Sequence, residues 1–539
     1  MKKKNIIAIV ITIAVVTILF FIINFKIYKN DYNNIDSYFN WLTSSTIKFT
    51  NCWLEEGATN LRFIMYEEPN SIEYEGFVNR KVYISYPPGT IIIPYVTAKI
   101  LNIEKIDFLF VKYMVTSLYL INSILIAIIF FCILKKLKIE NLIYRTIISI
   151  FCSVLLMVIP VISYYLRNIY FADQAIITIA LMFILLELNK STIKNKNNKM
   201  LSILYNIINF LVILFGVLTE YYFWFVLFIA FCIEMLTIIF QNDINKKQKL
   251  KACIKNSFCY IIPLLVGIIL FWLQISQRTN WQSYLINRFN HRTSLMCEGQ
   301  NSYEVIIKNI INIYTLQGAC ILLIGCIYTF LINIFVLIKK QKNKELKEIC
   351  KICNFIMLPV ILHMLVFANH SAYHDFSTIK VGLPFVLSVV IIGDLCYKIV
   401  KYIIKKEMTM IRVIIIIISL VFGMYIVSRR TNSYIEENMF EPKDYEIEKY
   451  LQENAKYNEV YIAFDFEIPI NPPQQLAISG KRVYKVRKIS EIYSRVAGIK
   501  SKMKIILITN KNEEEHVEEK KKYKLIDEIE NYQFYEIIE

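Results

Sequence analysis

The sequence predicts a polytopic α-helical membrane protein with a small α/β tail. Three observations carry that reading. Of the 539 residues 56% are hydrophobic and the mean hydropathy is +0.44, more apolar than soluble domains, which sit near ~45–50% on a broader count. The apolar residues fall into runs of about 20, enough to cross a hydrocarbon core about 30 Å thick at about 1.5 Å per helical residue. Lys and Arg cluster between those runs. Together these exclude a soluble enzyme, a disordered chain and a collagen-like repeat.

The net charge of +17 is a topology signal. The basic clusters are Lys2–Lys4, Lys135–Arg145, Lys190–Lys199, Asp243–Lys255, Lys339–Lys351 and Lys398–Arg412, and Glu140, Asp243, Glu345, Glu348 and Glu407 are the only acids in them. Short cytoplasmic loops retain Lys and Arg, so nucleic acid is not needed to explain the excess. A first run, Asn5–Phe25, is longer than a secretory h-region and has no small-residue cleavage pattern after it. It reads as an uncleaved first helix with its N-terminus in the cytoplasm.

Ten more spans follow: Lys112–Leu134, Thr146–Ser163, Ala172–Leu188, Leu201–Leu218, Tyr222–Phe240, Ser257–Gln274, Gln317–Ile338, Asn354–Asn369, Ile379–Tyr397 and Met410–Val427. With eleven spans every basic cluster is cytoplasmic. The expected organisation is a multi-span membrane domain over 1–427, with a large first extracytoplasmic loop at 26–106, and an extracytoplasmic α/β domain over 428–539. Smaller outer connections are Tyr164–Phe171, Thr219–Tyr221, Ile275–Leu316 and His370–Thr378. The cytoplasmic loops leave no room for a nucleotide-binding domain, and no GxxxxGK[ST] run occurs.

Within the tail, Pro442–Asn454 and the charged stretch Asn512–Tyr523 read as helical. Glu459–Phe464, Val483–Val486, Lys504–Thr509 and Phe534–Ile538 read as strands. The tail has no nucleophile elbow, zinc signature or phosphate loop, which suits a lid or docking surface. Cys350 and Cys353 form a CxxC with no second pair to complete a zinc site. Cys52 and Cys297 are both external, so a disulfide between them is open.

The first outer loop is the most informative segment. Asp31 and Asp36 precede Tyr38, Trp41, Leu42, Ser45 and Phe49, which recur at helical spacing. That pattern predicts an amphipathic helix along the membrane surface with Asp36 near its start. Glu55 and Glu56 follow, then Tyr83-Ile-Ser-Tyr86-Pro87-Pro88-Gly89. The run Ile91–Leu101 is too short to span and predicts an interfacial dip. The plainer alternative is that Asp36 caps a helix and the glutamates are solvated.

Two further outer motifs carry ionisable groups. Arg167-Asn-Ile-Tyr-Phe-Ala-Asp173 sits at the start of the fourth helix, and His370-Ser-Ala-Tyr373-His374-Asp375 precedes Lys380. A charge at membrane depth costs about 2.5–3.5 kcal/mol on insertion scales, so such residues are functional candidates. Near a helix end they also snorkel, which is the plainer reading of Arg167 and Lys380. Arg278, Arg288, His291 and Arg292 add positive charge suited to a phosphate. His370, His374 and Asp375 leave a divalent metal open, though an ordinary polar cap is the simpler reading and no oxygen-ligand set is legible.

An outer carboxylate after the first helix, a Tyr-Pro-Pro segment, an Arg…Asp pair before the fourth helix and a soluble tail resemble the GT-C glycosyltransferases. The layout is most similar to the protein O-mannosyltransferase and aminoarabinose transferase group. The resemblance implies a polyprenyl-phosphate sugar donor, a cell-envelope acceptor and a catalytic carboxylate at Asp36 or Asp31. Tyr86, Pro87 and Pro88 would match the family's substrate-binding proline segment. The usual Asp-Glu pair is absent at Asp31 and Asp36, and no Lys precedes the prolines, so Glu55 and Glu56 stay as alternatives.

Such a transfer needs a general base for the acceptor hydroxyl, contributing typically ~10²–10⁴-fold, and cations for the departing phosphate. Arg167, His370, His374 and Lys380 are candidates, with Asp173 beside them. The expectation is a multi-pass cell-membrane glycosyltransferase. A transporter or flippase, which would favour broken helices in paired halves, and a non-catalytic envelope assembly factor are the alternatives.

Overall fold

The computed structural model describes residues 3–27, 39–66, 82–194, 199–240, 245–278, 280–339, 344–439, 445–456, 458–464, 472–487, 491, 503–511 and 523–538. The first helix, α1, is Lys3–Ile27. Only 17% of its apolar window is buried, as suits a helix on the lipid boundary. After it, α2 (Asn40–Glu56) and α3 (Gly89–Ile100) build the ordered part of the first loop.

The α2 helix departs from the surface helix its periodicity predicts. Thr43, Ser44, Thr46 and Thr50 are buried alongside Leu42, Ile47, Phe49 and Trp53. Three of these hydroxyls are satisfied by backbone groups: Ser44 donates to Asn40 O at 3.1 Å, Thr46 donates to Tyr170 O at 2.9 Å, and Thr43 accepts from Tyr170 N at 3.2 Å. The helix is thereby packed on several sides. The 12-residue α3 is apolar and too short to span, as expected.

The membrane helices follow in order. Asp107 caps α4 (Phe108–Lys136) by accepting from Phe110 N at 2.8 Å, and Asn141 caps α5 (Leu142–Met157). Pro160 opens α6 (Pro160–Asn168), which is bent 73° from α5. Then come α7 (Ala172–Lys194), α8 (Lys199–Val217), α9 (Tyr222–Ile239) and α10 (Lys246–Ile275), the last opened by an Asn245–Gln248 capping box. The short α11 (Trp281–Thr293) leads into the hairpin β1 (Met296–Cys297) and β2 (Gln300–Asn301).

Next, α12 (Ser302–Lys339) is broken at Thr315, whose hydroxyl accepts from Gly318 N and so caps the spanning half. It is followed by α13 (Lys344–Val366), α14 (Ala368–Tyr373), a 3₁₀ turn at Asp375–Val381, α15 (Gly382–Ile404) and α16 (Thr409–Asn438). The helix α15, preceded by its turn, is 78% buried and central. Among the described residues ten helices are long and apolar enough to cross a membrane, and the bent α5–α6 pair makes up to eleven. The chain is a multi-pass membrane protein.

The tail begins with α17 (Glu446–Asn454) and continues through β3 (Glu459–Phe464), α18 (Pro472–Ser479), β4 (Val483–Val486), β5 (Lys504–Asn510), β6 (Tyr523–Glu528) and β7 (Tyr532–Ile537). The sheet order is β4-β3-β5-β7-β6, with β3 parallel to both neighbours and β7 antiparallel to β5 and β6. Every residue of β3 is buried, as a central strand covered on both faces requires. Tyr523, the end of the expected charged helix, instead opens β6, while residues 512–522 lie outside the described residues. Ala477 of α18 shares an apolar cluster with Ile47 of α2 and Ala98 of α3, so the tail packs on the first loop.

Cys52 and Cys297 are not joined: both are free thiols, Cys52 donating to Glu56 Oε1 at 3.2 Å. Cys350 and Cys353 are free and buried, and Cys350 donates to Asn333 Oδ1 at 3.3 Å.

Candidate active site at one end of the bundle

A proline segment borders the site. Pro87 and Pro88 close the Tyr83–Gly89 segment, and Gly89 N donates to Leu218 O at 2.7 Å. A Cβ at position 89 would lie 2.5 Å from that carbonyl oxygen, so only glycine lets the segment approach the α8–α9 connection this closely. That connection carries Glu220, 1% exposed.

Four other elements bring ionisable groups around Glu220. Asp173 lies in the first turn of α7, His363 in the last turn of α13, His370 on α14 and Lys380 in the 3₁₀ turn. The Lys380 ammonium lies 2.6 Å from Asp173 Oδ1, 3.2 Å from His363 Nε2 and 3.6 Å from Glu220 Oε2. His363 Nε2 is 3.5 Å from Glu220 Oε1, and His370 Nε2 is 3.9 Å from Asp173 Oδ2. On its other side, His370 Nε2 meets the Tyr86 hydroxyl at 3.2 Å. Buried charges of this kind persist only when paired.

Arg292, at the end of α11, completes the cluster differently. Its guanidinium lies 4.3 Å from the centre of the Tyr86 ring and 5.4 Å from that of Tyr221, cation–π contacts in a desolvated setting. It forms no ion pair with a carboxylate among the described residues. Burial pulls against its charge, but the Tyr86, Tyr221 and Tyr83 hydroxyls hold its pKa above the ordinary value. It stays cationic.

The other groups outside the spans are set by burial and these charges. Burial alone would raise the Glu220 carboxyl, but Lys380 and His363 outweigh it and hold it below the usual range. Burial pushes His370 down, against the pull of Asp173, and pushes His374 well down, so both rings are neutral near pH 7. Burial raises the Tyr86 hydroxyl well above its ordinary value despite Arg292.

Of the residues the sequence singled out, Tyr86, Asp173, His370 and Lys380 meet directly. His374 stands beside them, its ring 4.8 Å from that of His370 and stacked on Phe376 at 4.7 Å. Arg167 is 1% exposed on α6, two residues after Tyr165, which donates to Asp375 Oδ1 at 2.6 Å. Pro87 and Pro88 are buried within the Tyr83–Gly89 segment. Glu56 is half-buried at the end of α2. Asp31 and Asp36 lie outside the described residues.

Glu220 and His363 were not among the sequence candidates. Glu220 is the one acid in the short Thr219–Tyr221 connection, and His363 is an ionisable residue inside the expected span Asn354–Asn369. The insertion-cost argument that singled out Lys380 applies to both. No group of three His, Cys, Asp or Glu side chains among the described residues is placed to hold a metal ion.

No family model matches the chain, and no curated protein matches it. Several solved structures share its architecture, among them two of one protein. ArnT from Cupriavidus metallidurans bound to undecaprenyl phosphate aligns with a TM-score of 0.50 and 7% identity, over 96% of this chain and 97% of that one. The same protein in the apo state gives 0.51 and 7%, with the same coverage. At that identity the likeness speaks for the fold alone. The chain shares the fold of these ArnT structures over nearly its whole length.

Proposed function

We propose that this protein is an extracytoplasmic glycosyltransferase that moves a sugar from a polyprenyl-phosphate carrier to a cell-envelope acceptor. The observation that carries this reading is Arg292: a guanidinium at the site, stacked on tyrosines and without a carboxylate partner among the described residues. Lys380 is neutralised by Asp173 and Glu220, whereas Arg292 has its charge to offer. A phosphate accepts from a guanidinium in bidentate fashion. The fold likeness to a protein seen with undecaprenyl phosphate supports the same ligand class.

In the proposed reaction the acceptor hydroxyl oxygen attacks the anomeric carbon as its proton passes to a carboxylate. The bond from that carbon to the phosphate oxygen breaks, and polyprenyl phosphate leaves with the electron pair. Attack from the opposite face inverts the configuration. Asp36 is the proposed base, with Asp31 or Glu56 as the alternative, and Arg292 stabilises the charge that develops on the leaving phosphate. Tyr86, Pro87 and Pro88 border the donor, and Arg167, His370 and His374 add polar groups around it. The proposed orientation puts the N-terminus in the cytoplasm and the site and tail outside, as the basic loops require.

The test is to purify the protein in mild detergent, identify bound lipids by native mass spectrometry and supply polyprenyl-phosphate sugars. Bound polyprenyl phosphate and release of sugar-free carrier are expected. Binding of bulk phospholipid only, with no turnover of any supplied sugar lipid, would overturn the proposal in favour of a transporter or assembly factor.

A further inference from the structure

Between α10 and α12 the chain runs through α11 and the β1–β2 hairpin. No residue of α11 is fully buried, yet one side of the helix is fixed. Trp281, Tyr284 and Leu285 pack on the cluster of Ile64, Val82 and Ile84, and Arg288 Nε donates to the Tyr284 hydroxyl at 3.1 Å. Arg292 lies on the same side, over Tyr86 and Tyr221.

At about 100° per residue the rest of α11 separates into two edges. Ser283, Asn287, Asn290 and His291, all exposed, share one of them. Leu285, Ile286 and Phe289 share the other, and Ile286 and Phe289 are both more than half exposed. A polar edge opposite an apolar one, with arginines between them, is the pattern of a helix lying in a membrane interface.

The surroundings say what covers the apolar edge. Trp272 and Leu273, in the last turn of α10, are about half exposed on a helix long enough to span. The Phe289 ring is 6.1 Å from that of Phe367, which directly follows α13, and the last residues of α13, Leu365 and Val366, are open as well. The apolar edge therefore continues the surface that two neighbouring spans present to lipid. Just past the helix, Leu295 and Met296 are also more than half exposed.

We propose that α11 is a membrane-surface helix. Its Leu285, Ile286 and Phe289 edge is buried in the leaflet beside the site, where phospholipid head groups meet acyl chains, and Ser283, Asn287 and Asn290 face water. Arg292, three residues after Phe289, is thereby held at the depth of lipid phosphates, so a lipid-linked phosphate reaches it by moving sideways within the leaflet. That consequence for Arg292 rests on the transferase reading; the insertion of α11 does not.

The experiment reconstitutes the full-length protein in phosphatidylcholine liposomes that contain a phosphatidylcholine with a diazirine near the carbonyl end of one acyl chain. Illumination gives a carbene that inserts into neighbouring bonds, and peptide mass spectrometry locates the label. Label is expected on Ile286 or Phe289 at a yield comparable to that on Trp272 and Leu273, and not on Ser283, Asn287 or Asn290. Ile286→Ser/Phe289→Ser, changed only at exposed positions, is expected to lose the α11 label and keep the α10 label. Label on α10 with none on α11 would overturn the proposal, and so would an α11 label undiminished in the double variant. A dimer that the double variant dissociates would put a second copy of the chain on this edge and would overturn it too. Because the readout is labelling and not turnover, a protein without transferase activity still decides the question.

Discussion

Asp173 and Lys380, 207 positions apart, share a 2.6 Å ion pair with side chains 3% and 0% exposed. Breaking a buried pair by removing one partner costs about 3–5 kcal/mol, because the other charge is left uncompensated. Asp173→Asn is therefore expected to lower stability in detergent by about that amount. Asp173→Asn combined with Lys380→Met should lose clearly less than the two single changes summed. Additive losses in thermal unfolding would mean that the pair is not energetically coupled.

Arg292→Gln is expected to weaken polyprenyl-phosphate binding with little change in melting temperature. Removing one partner of a desolvated charged contact costs about 2–5 kcal/mol, roughly 30-fold or more in affinity. Arg292→Lys should recover only part of this, since an ammonium lacks the planar stack on Tyr86 and Tyr221. Binding assays against the phosphate-free polyprenol separate the phosphate contribution from that of the tail.

Acid should destabilise the fold in two stages. His370 and His374 are held below their ordinary 6.5 by burial, with Arg292, Lys380 and His291 opposing their charge and Asp173 favouring it. The unfolded chain then binds more protons, so stability falls as pH drops through about 6.5. Glu220, held below its ordinary 4.5, contributes stability that is present above that value and lost as pH falls below it. Melting curves at stepped pH should show the first stage flattened in His370→Gln/His374→Gln and the second in Glu220→Gln.

At Gly89 the added methyl group of Gly89→Ala meets the Leu218 carbonyl oxygen and the Thr219 hydroxyl at 2.5 and 2.6 Å. The proline segment must move away from the Glu220 connection, at about 1–3 kcal/mol for overpacking. Reduced turnover is expected even where the protein still folds. Unchanged kinetics would show that the approach of Tyr86 to His370 is not needed.

Asp36→Asn is expected to abolish transfer while leaving the protein folded and lipid-bound. Glu56→Gln is expected to retain it. Wild-type rates in the first variant would move the proposed base to Glu55 or Glu56.

Much of the candidate site was legible because its residues sit where charges are costly. Asp173, His370 and Lys380 flank apolar runs, and placing any ionised group there demands a partner. The partners were harder to read. Lys380 pairs with Glu220 from 160 positions earlier and with His363 from 17 positions earlier on another helix. Neither has a spacing rule linking it to Lys380. Arg292 read only as one of several basic residues in its loop; its lack of a carboxylate partner among the described residues is a property of packing.

Hydrophobic length and loop charge by themselves determined a multi-pass helical protein with a mixed helix-and-strand tail. Both signals are local, set by how many apolar residues cover about 30 Å and by which short loops keep Lys and Arg. Only the tertiary structure decided that α2 is buried and not laid on the surface. Ser44 and Thr46 find carbonyl partners on its own turns and on Tyr170, contacts that periodicity does not encode. Likewise, which cation is neutralised and which stays available depends on distances of a few ångströms between helices far apart in the chain. Coulomb energies in a low-dielectric interior change steeply over such distances, so packing assigns Lys380 to its carboxylates and sets Arg292 over the Tyr86 and Tyr221 rings.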